Sequence, residues 1–309
     1  MTTRAPKTLY HYCSIETFVN ITKNNSIWLS DIQQSNDSLE LSYMKSFYGK
    51  LVNTATTEFI KNHVDKGQKY NGWELATLLE LFTTPSLLQV TKSWGFCLSE
   101  KGDLLSQWRG YADDGMGVAI GFNRNYLATG VASLTEELAN NNTGVVGLIQ
   151  FKKVDYSLRH VQSRVEELFN PVECGKCETL DEFREKLQDP LYAIDMEAAY
   201  YKHDSFKEER EWRIALNSLI GSNCLYNTIN IETKTVSLGH FGYIPSHKKL
   251  VSHFELTLRD MRKAIDCIIL GPKCKVSITE MKHYLVSLGI LKSIDDKSVQ
   301  VLVSSSSYR

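Results

Sequence analysis

The order of predicted strands and helices constrains the fold of this chain more than any other sequence feature. Short apolar runs typical of strands follow one another, and most are not separated by a helix of about 10–15 residues. A doubly wound parallel sheet needs such a helix after almost every strand. The sequence therefore predicts an α+β fold with a largely antiparallel sheet core and helical insertions. The predicted strands cover residues 8–12, 27–30, 93–99, 117–122, 144–151, 209–216, 225–231, 235–238, 250–258, 265–270 and 299–303.

The predicted helices interrupt this series of strands in a few long segments. Ser14 is a suitable N-cap for the first helix, and Pro190 is expected to interrupt one of the later ones. No linker rich in Pro, Gly or Ser divides the chain, so we predict one domain over 1–309 with helical insertions at 38–90 and 157–203. The serine run 304–307 is expected to be a frayed end. The predicted helices cover 14–23, 38–63, 73–84, 104–111, 157–169, 180–201 and 278–288.

The charge balance excludes several classes of protein. The 309 residues contain 35 Lys and Arg against 36 Asp and Glu, giving a net charge of -1. A chain that neutralises phosphate over its whole surface would be basic, so we expect no nucleic-acid partner. No apolar run reaches the ~18 residues that cross a bilayer, and the first residues lack a hydrophobic signal core. We therefore expect no membrane association and a cytoplasmic location.

The cysteines give no metal signature. Of the seven, only Cys174 and Cys177 have ligand-like spacing, and no second pair of ligands follows them. A structural zinc site needs that second pair. We expect a polar loop that carries two thiols, and no metal cofactor.

The first group of candidate site residues is the segment Leu9-Tyr-His-Tyr12. In a strand, Tyr10 and Tyr12 share one face and His11 lies on the other. His11 could bind a ligand hydroxyl, or it could be a core imidazole that bonds to the backbone. Both interpretations remain open at this stage.

The second group surrounds Ser99 and the short helix that follows it. Trp108 and Tyr111 are three residues apart and would share a helix face. Such a pair either packs in the core or, at the mouth of a pocket, holds a planar ring between its aromatic side chains.

The third group is the most informative, because charged residues interrupt a strand that otherwise resembles core. Glu209, Glu211 and Arg213 would lie on one strand face. Two carboxylates on one face repel unless a positive charge lies between them. Either Arg213 supplies it in a structural ion-pair ladder, or one Glu binds a sugar hydroxyl and stabilises an oxocarbenium-like charge.

In order and spacing, these segments resemble the bacterial family of proteins of unknown function numbered 2971. The family name supplies no activity. The segments that carry the resemblance are Leu9–Tyr12, Trp28–Ser30 with Asn36-Asp37, Phe96–Glu100, Trp108 with Tyr111, Gly117–Phe122, Phe206–Arg213 and Ile268–Pro272.

The same three groups are similar, more distantly, to the three-part site of ADP-ribosyltransferases. The resemblance implies that His11 holds the NAD ribose, that Ser99 or Tyr111 shapes the nicotinamide pocket, and that Glu211 stabilises the oxocarbenium while Glu209 accompanies it. It also implies that NAD is the substrate. The residues expected to bind it are Tyr10, Tyr12, Ser99, Trp108, Tyr111 and Arg213.

Two main hypotheses about function follow. The first is NAD-dependent ADP-ribosyl transfer or NAD hydrolysis in a bacterial stress, toxin or phage-defence setting, with a small-molecule nucleotide or a protein as acceptor. It predicts that His11, Tyr111 and Glu211 converge on one cleft. The second is a non-catalytic module of the same fold that binds a ligand or a protein. A metal-dependent nuclease that uses Asp113-Asp114 with Glu209 and Glu211 is a third alternative.

Overall fold

A computed structural model describes residues 5–34, 41–64, 91–140, 147–219, 231–246 and 249–308. The predicted helix at 73–84 and most of the predicted strand at 225–231 lie outside these ranges. The strands are β1 (Thr8–Cys13), β2 (Ser26–Asp31), β3 (Thr91–Ser99), β4 (Val118–Asn123), β5 (Gly147–Lys153), β6 (Glu211–Leu219), β7 (Ile231–Glu232), β8 (Val236–Ser246), β9 (Lys249–Leu258), β10 (Ile265–Leu270) and β11 (Gln300–Val303).

The strands form one large open sheet in the order β11-β10-β4-β1-β3-β2-β9-β8-β7, and β6 and β5 branch from β3. Every described pair of strands is antiparallel except β10 with β11. The prediction of an α+β fold with a largely antiparallel sheet is therefore confirmed.

Strand β3 is the branch point of the sheet, and its pairing creates a cleft. On one side it pairs with β6 from Thr91 to Ser99. On the other side it pairs with β2 at Trp94 and Gly95, and with β1 only at Ser99. Around Cys97, between these two contacts, neither β1 nor β2 is in register with β3. The sheet therefore opens beside the middle of β3.

Apart from α3, the described helices fall into two apolar clusters. One joins the sheet to α1, α4, α8 and α9, and the other consists of side chains from α2, α5, α6 and α7 and the turns beside them. The second cluster joins α2, in the described part of the expected insertion 38–90, to the helices of the expected insertion 157–203. The helices are α1 (Ile15–Asn24), α2 (Ser42–Val64), α3 (Leu105–Tyr111), α4 (Arg124–Asn140), α5 (Leu158–Leu168), α6 (Pro171–Gly175), α7 (Leu180–Ala198), α8 (Met261–Ala264) and α9 (Ile278–Ser287).

The helix predictions have mixed outcomes. Ser14 caps α1 as predicted, because its Oγ accepts the Thr17 N–H at 3.1 Å. Helix α4 was not predicted at all. Pro190 does not interrupt α7. Leu187 and Leu191 on either side of it are buried, and this packing holds the helix together through the proline.

The segment around Cys174 and Cys177 was expected to be a polar loop, and this is wrong. It forms the short helix α6 and the turn after it, and both thiols are buried against the helical cluster. Burial raises the pKa of each thiol. These cysteines therefore act as small apolar side chains.

The expectation of a frayed C-terminal serine run is also wrong. Ser304 and Ser305 donate hydrogen bonds to Asp103, at 2.5 Å and 2.7 Å from their Oγ atoms. The Tyr308 hydroxyl donates to Asp114 at 2.6 Å. Hydrogen bonds to two carboxylates therefore hold this segment in place, although it has few apolar side chains that could pack.

Candidate functional site

A cavity of about 240 Å³ lies where β1 separates from β3. The branch in the sheet positions it, because β1, β3 and the start of β6 each contribute one wall. The structure brings most of the sequence-predicted site residues to it: Tyr10, His11, Tyr12, Ser99, Tyr111, Glu209, Glu211 and Arg213. The same cavity is also lined by Cys97, Leu98, Gln107, Lys202 and Phe206.

Two carboxylates and two cations form an ion-pair cluster on the wall of this cavity. Both oxygens of Glu211 bond to Arg213, at 2.5 Å from Nε and 2.8 Å from Nη2. The Lys202 ammonium lies 2.8 Å from Glu209 and 3.4 Å from Glu211. Arg213 also donates to the Ala199 carbonyl at 2.8 Å. The cluster thus fixes the start of β6 against the segment after α7.

The two carboxyl groups have opposite pKa shifts. Burial by itself would raise the pKa of Glu211, but Arg213, and to a smaller extent Lys202, lower it to about 2. For Glu209, burial outweighs the attraction of Lys202, and the pKa lies above its ordinary value. Glu211 is therefore a firmly ionised partner of Arg213, whereas Glu209 is the more readily protonated of the two.

Glu209 does not lie on the strand, contrary to the prediction. It ends a 3₁₀ turn at Asp204–Glu209, and β6 begins only at Glu211. Between them Arg210 has a positive φ of 45°. This left-handed residue reverses the backbone, so Glu209 approaches Glu211 from the turn instead of sharing its strand face. The Ser99 Oγ donates to the Glu209 carbonyl at 2.7 Å and holds the turn in place.

His11 lies in the opening between β1 and β3. Its Nδ1 is 3.0 Å from the Cys97 carbonyl, and its ring stacks on Phe96 with centroids 4.2 Å apart. Burial lowers the pKa of His11 to about 4. Since a carbonyl only accepts, Nδ1 carries the proton of the neutral ring, and Nε2 is an acceptor. The backbone contact considered in the sequence analysis thus leaves one nitrogen for a ligand.

The two tyrosines of β1 have different surroundings. The Tyr12 hydroxyl donates to the Lys101 carbonyl at 2.8 Å and accepts the Leu104 N–H at 3.0 Å. It therefore fixes the start of α3 and has little capacity left for a ligand. Tyr10 is half-buried, and burial raises its pKa to about 12, so its hydroxyl keeps its proton at neutral pH.

Trp108 and Tyr111 do not share a face as predicted. Trp108 is fully buried against Tyr12, and its indole N–H donates to Asp103 at 2.7 Å. Tyr111 instead lines the cavity, with its hydroxyl 3.4 Å from Glu209. Its partner on that face is Gln107, four residues earlier, because a spacing of four also returns to the same side of a helix.

Several residues of the cavity wall were not predicted from the sequence. Cys97 lies two residues before Ser99 on β3, so the alternation of a strand could have found it. Gln107 could have been found from its helical spacing to Tyr111. Lys202 follows α7 in an irregular segment, where no periodic signal points to it. Its ammonium lies over the Phe206 ring, 4.7 Å from the ring centroid. Both residues belong to the connection between α7 and β6.

A second cavity, of about 260 Å³, adjoins the first. His11 contributes to the walls of both. The second cavity is bounded by α1 and β2, with Trp28 and Phe96 as its aromatic side chains and Asn20 and Asn24 among its polar ones. The opening in the sheet therefore offers two adjoining spaces on either side of one imidazole.

The nuclease alternative receives no geometric support. Asp114 bonds to Lys273 at 2.8 Å and to Tyr308, and it is not among the residues that line the cavity with Glu209. Across the described ranges, no group of three or more His, Cys, Asp or Glu side chains could hold a metal ion. Asp114 is therefore not brought together with Glu209 and Glu211, the other carboxylates considered for that function.

Comparison with protein families supports the first resemblance seen in the sequence. The family model described as "Protein of unknown function (DUF2971)" matches residues 107–214. This stretch holds Gln107 and Tyr111 of α3, and the whole segment from Lys202 to Arg213. No curated protein matches the chain significantly. No solved structure does so either. In the described part of the chain, no helix has the length and apolarity needed to span a bilayer.

Proposed function

We propose that the cavity binds the nicotinamide riboside part of NAD and that the protein transfers or hydrolyses ADP-ribose. The observation that carries this proposal is the convergence of His11, Tyr111, Glu209 and Glu211 on one cavity. These residues are widely separated in sequence, and packing alone does not require them to meet. His11 lies on the first strand, Tyr111 on the helix after β3, and the two carboxylates at and just before the start of β6. This order along the chain supports an ADP-ribosyltransferase-like organisation of the sheet.

The reaction needs little covalent chemistry from the protein. The bond between the ribose C1′ and the pyridinium nitrogen breaks, and its electron pair neutralises the nitrogen as nicotinamide leaves. The sugar becomes oxocarbenium-like, and an acceptor oxygen then bonds to C1′ and loses its proton to a carboxylate or to water. A fixed carboxylate near C1′ stabilises the positive charge as it develops. The acceptor is water, a small-molecule nucleotide or a protein side chain.

We assign the direct role toward the sugar to Glu209, with Glu211 as its support. The sequence favoured Glu211, but both of its oxygens are bonded to Arg213. Among the described residues, one oxygen of Glu209 has a single hydrogen-bond partner, the Tyr111 hydroxyl at 3.4 Å. Lys202, and to a smaller extent Arg213, offset part of the rise that burial causes in the pKa of Glu209.

His11 is suited to bind a ribose hydroxyl. Its Nε2 is an acceptor because Nδ1 donates to Cys97, and the ring is held by Phe96. The adjoining cavity of about 260 Å³ gives room for the rest of the dinucleotide, since 240 Å³ alone is small for a ligand of that size. The space of the two cavities together supports a dinucleotide better than a mononucleotide.

The test is release of nicotinamide from NAD by the purified protein, together with the melting temperature with and without NAD. We expect turnover, and a higher melting temperature in NAD, because a ligand that binds the folded state stabilises it. If the protein neither releases nicotinamide nor is stabilised by NAD, the proposal is wrong.

A non-catalytic binding module is the second candidate, and a specific observation favours it. Glu211 and Arg213 satisfy each other almost completely, as expected for a structural ion pair. The adjoining cavity would then bind a ligand without transforming it. Stabilisation by NAD with no release of nicotinamide would support this alternative.

A further inference from the structure

Gln107 is a largely buried polar side chain that makes no hydrogen bond within the described part of the chain. It is 9 % exposed and lines the 240 Å³ cavity. Its amide makes no hydrogen bond to any residue in the described ranges, although side-chain amides each have two donor hydrogens and an acceptor oxygen. The amide is not among the fully buried side-chain atoms that lack a partner in the described ranges, so water in the cavity reaches it. Polar side chains as buried as this one nearly always have a hydrogen-bond partner. A bound ligand would satisfy it.

From this we infer that Gln107 determines specificity by pairing with a neutral carboxamide on the ligand. The amide of a glutamine and that of a ligand complement each other, since each offers a donor and an acceptor. The inference rests on the proposed function, and within it names the ligand group as the carboxamide of nicotinamide rather than the carboxylate of nicotinate.

The charges of the cavity support a neutral group at this position. Glu209 and Glu211 are matched by Lys202 and Arg213, and each of these cations bonds to at least one carboxylate. A ligand carboxylate would therefore compete with the protein's own carboxylates for those cations. It would also leave the acceptor oxygen of Gln107 without a donor.

The position of Gln107 is not explained by packing alone. It lies one helical turn before Tyr111, and both residues face the cavity, whereas Trp108 between them faces the core. An apolar side chain at 107 would fill the same space without an unpaired amide. Replacement by leucine should therefore leave the folded protein as stable as before, or more stable.

The test compares the parent protein with Gln107→Leu and with the control Gln162→Leu, an exposed glutamine on α5. The affinities for free nicotinamide and nicotinate are measured by NMR titration, and the melting temperature is recorded for each protein. We expect the parent and the control to bind nicotinamide at least ~10-fold more tightly than nicotinate. We expect Gln107→Leu to lose about 10–100-fold in nicotinamide affinity, the scale of one or two hydrogen bonds, with no fall in melting temperature.

Equal nicotinamide affinity in Gln107→Leu and the parent would overturn the inference, as would a parent that binds neither compound. Turnover of NAD is measured separately so that the two failures can be told apart. If the parent turns over NAD but Gln107→Leu keeps its preference, only the role of Gln107 is wrong. If nicotinamide binds through Gln107 without any NAD turnover, the proposed reaction is wrong and this inference stands.

Discussion

Two buried ion-pair clusters lie along strand β3, and they differ in what their polar groups contact. The cleft cluster consists of Lys202, Glu209, Glu211 and Arg213 beside the cavity. The Asp31 cluster lies toward the other end of β3, where Lys92 is 2.9 Å from Asp31. In both, a buried carboxylate pairs with a cation from a neighbouring segment.

The Asp31 cluster uses its polar groups internally. Ser252 Oγ accepts from Lys92 at 2.9 Å and from the Trp94 indole at 3.0 Å, and it donates to Asp31 at 3.4 Å. The other Asp31 oxygen accepts the Gln33 N–H. In the cleft cluster, by contrast, one carboxylate oxygen of Glu209 has a single long hydrogen bond, from the Tyr111 hydroxyl. Gln107, which lines the same cavity, has no hydrogen-bond partner among the described residues. Buried ion pairs alone therefore do not identify a site; unsatisfied polar groups beside a cavity do.

The largest expected effect comes from removing the central cation of the cleft cluster. Arg213→Met leaves Glu211 buried without its main partner, and breaking such a pair costs about 3–5 kcal/mol. The matched change Lys92→Met should cost less, because the Lys92 side chain is 25 % exposed and water can replace it at Asp31. Urea denaturation measures both free energies of unfolding. A cost below ~1 kcal/mol for Arg213→Met would show that the cleft cluster is not the structural anchor described here.

A smaller effect is expected from pH, through His11. Its pKa falls from 6.5 in the unfolded chain to about 4 in the fold, so between these values only the unfolded state binds the proton. Stability should therefore decline as pH falls from 6.5 toward 4, by up to about 3 kcal/mol. In His11→Gln this part of the decline should disappear when unfolding is measured across the same window. An unchanged slope in the variant would mean that His11 is not held neutral in the opening of the sheet.

Much of the sheet could be predicted because its strands carry local signals. The predicted strand at 265–270 matches β10, and β3, β4 and β9 differ from prediction by a few residues at their ends. Helix α4 was missed although Leu127, Val131, Leu134 and Leu138 follow helical spacing and are buried. That signal was present in the sequence.

The details of the site depend on tertiary contacts that no local pattern encodes. Period-two alternation placed Glu209 on the strand, but the left-handed Arg210 and the Ser99 hydrogen bond put it in a turn. Helical spacing allowed Trp108 to face either the core or the cavity, and the bond from its indole to Asp103 turns it inward. Lys202 reaches the carboxylates from an irregular connection. The sequence thus predicted which segments meet and most of the side chains that line the cavity, but not the turn that carries Glu209 or the contribution of Lys202.

The most direct test of this account is Glu209→Gln, with NAD turnover and melting temperature measured on the same sample. The control is Asp31→Asn, which makes the same acid-to-amide change in the other cluster. Glu209→Gln should lose about 100-fold or more in turnover, the scale of one preorganised electrostatic group, while its melting temperature changes little. Asp31→Asn should lower the melting temperature and leave the turnover of the folded protein unchanged. Full turnover in Glu209→Gln would contradict the claim that the cavity-facing carboxylate of the cleft cluster carries the function.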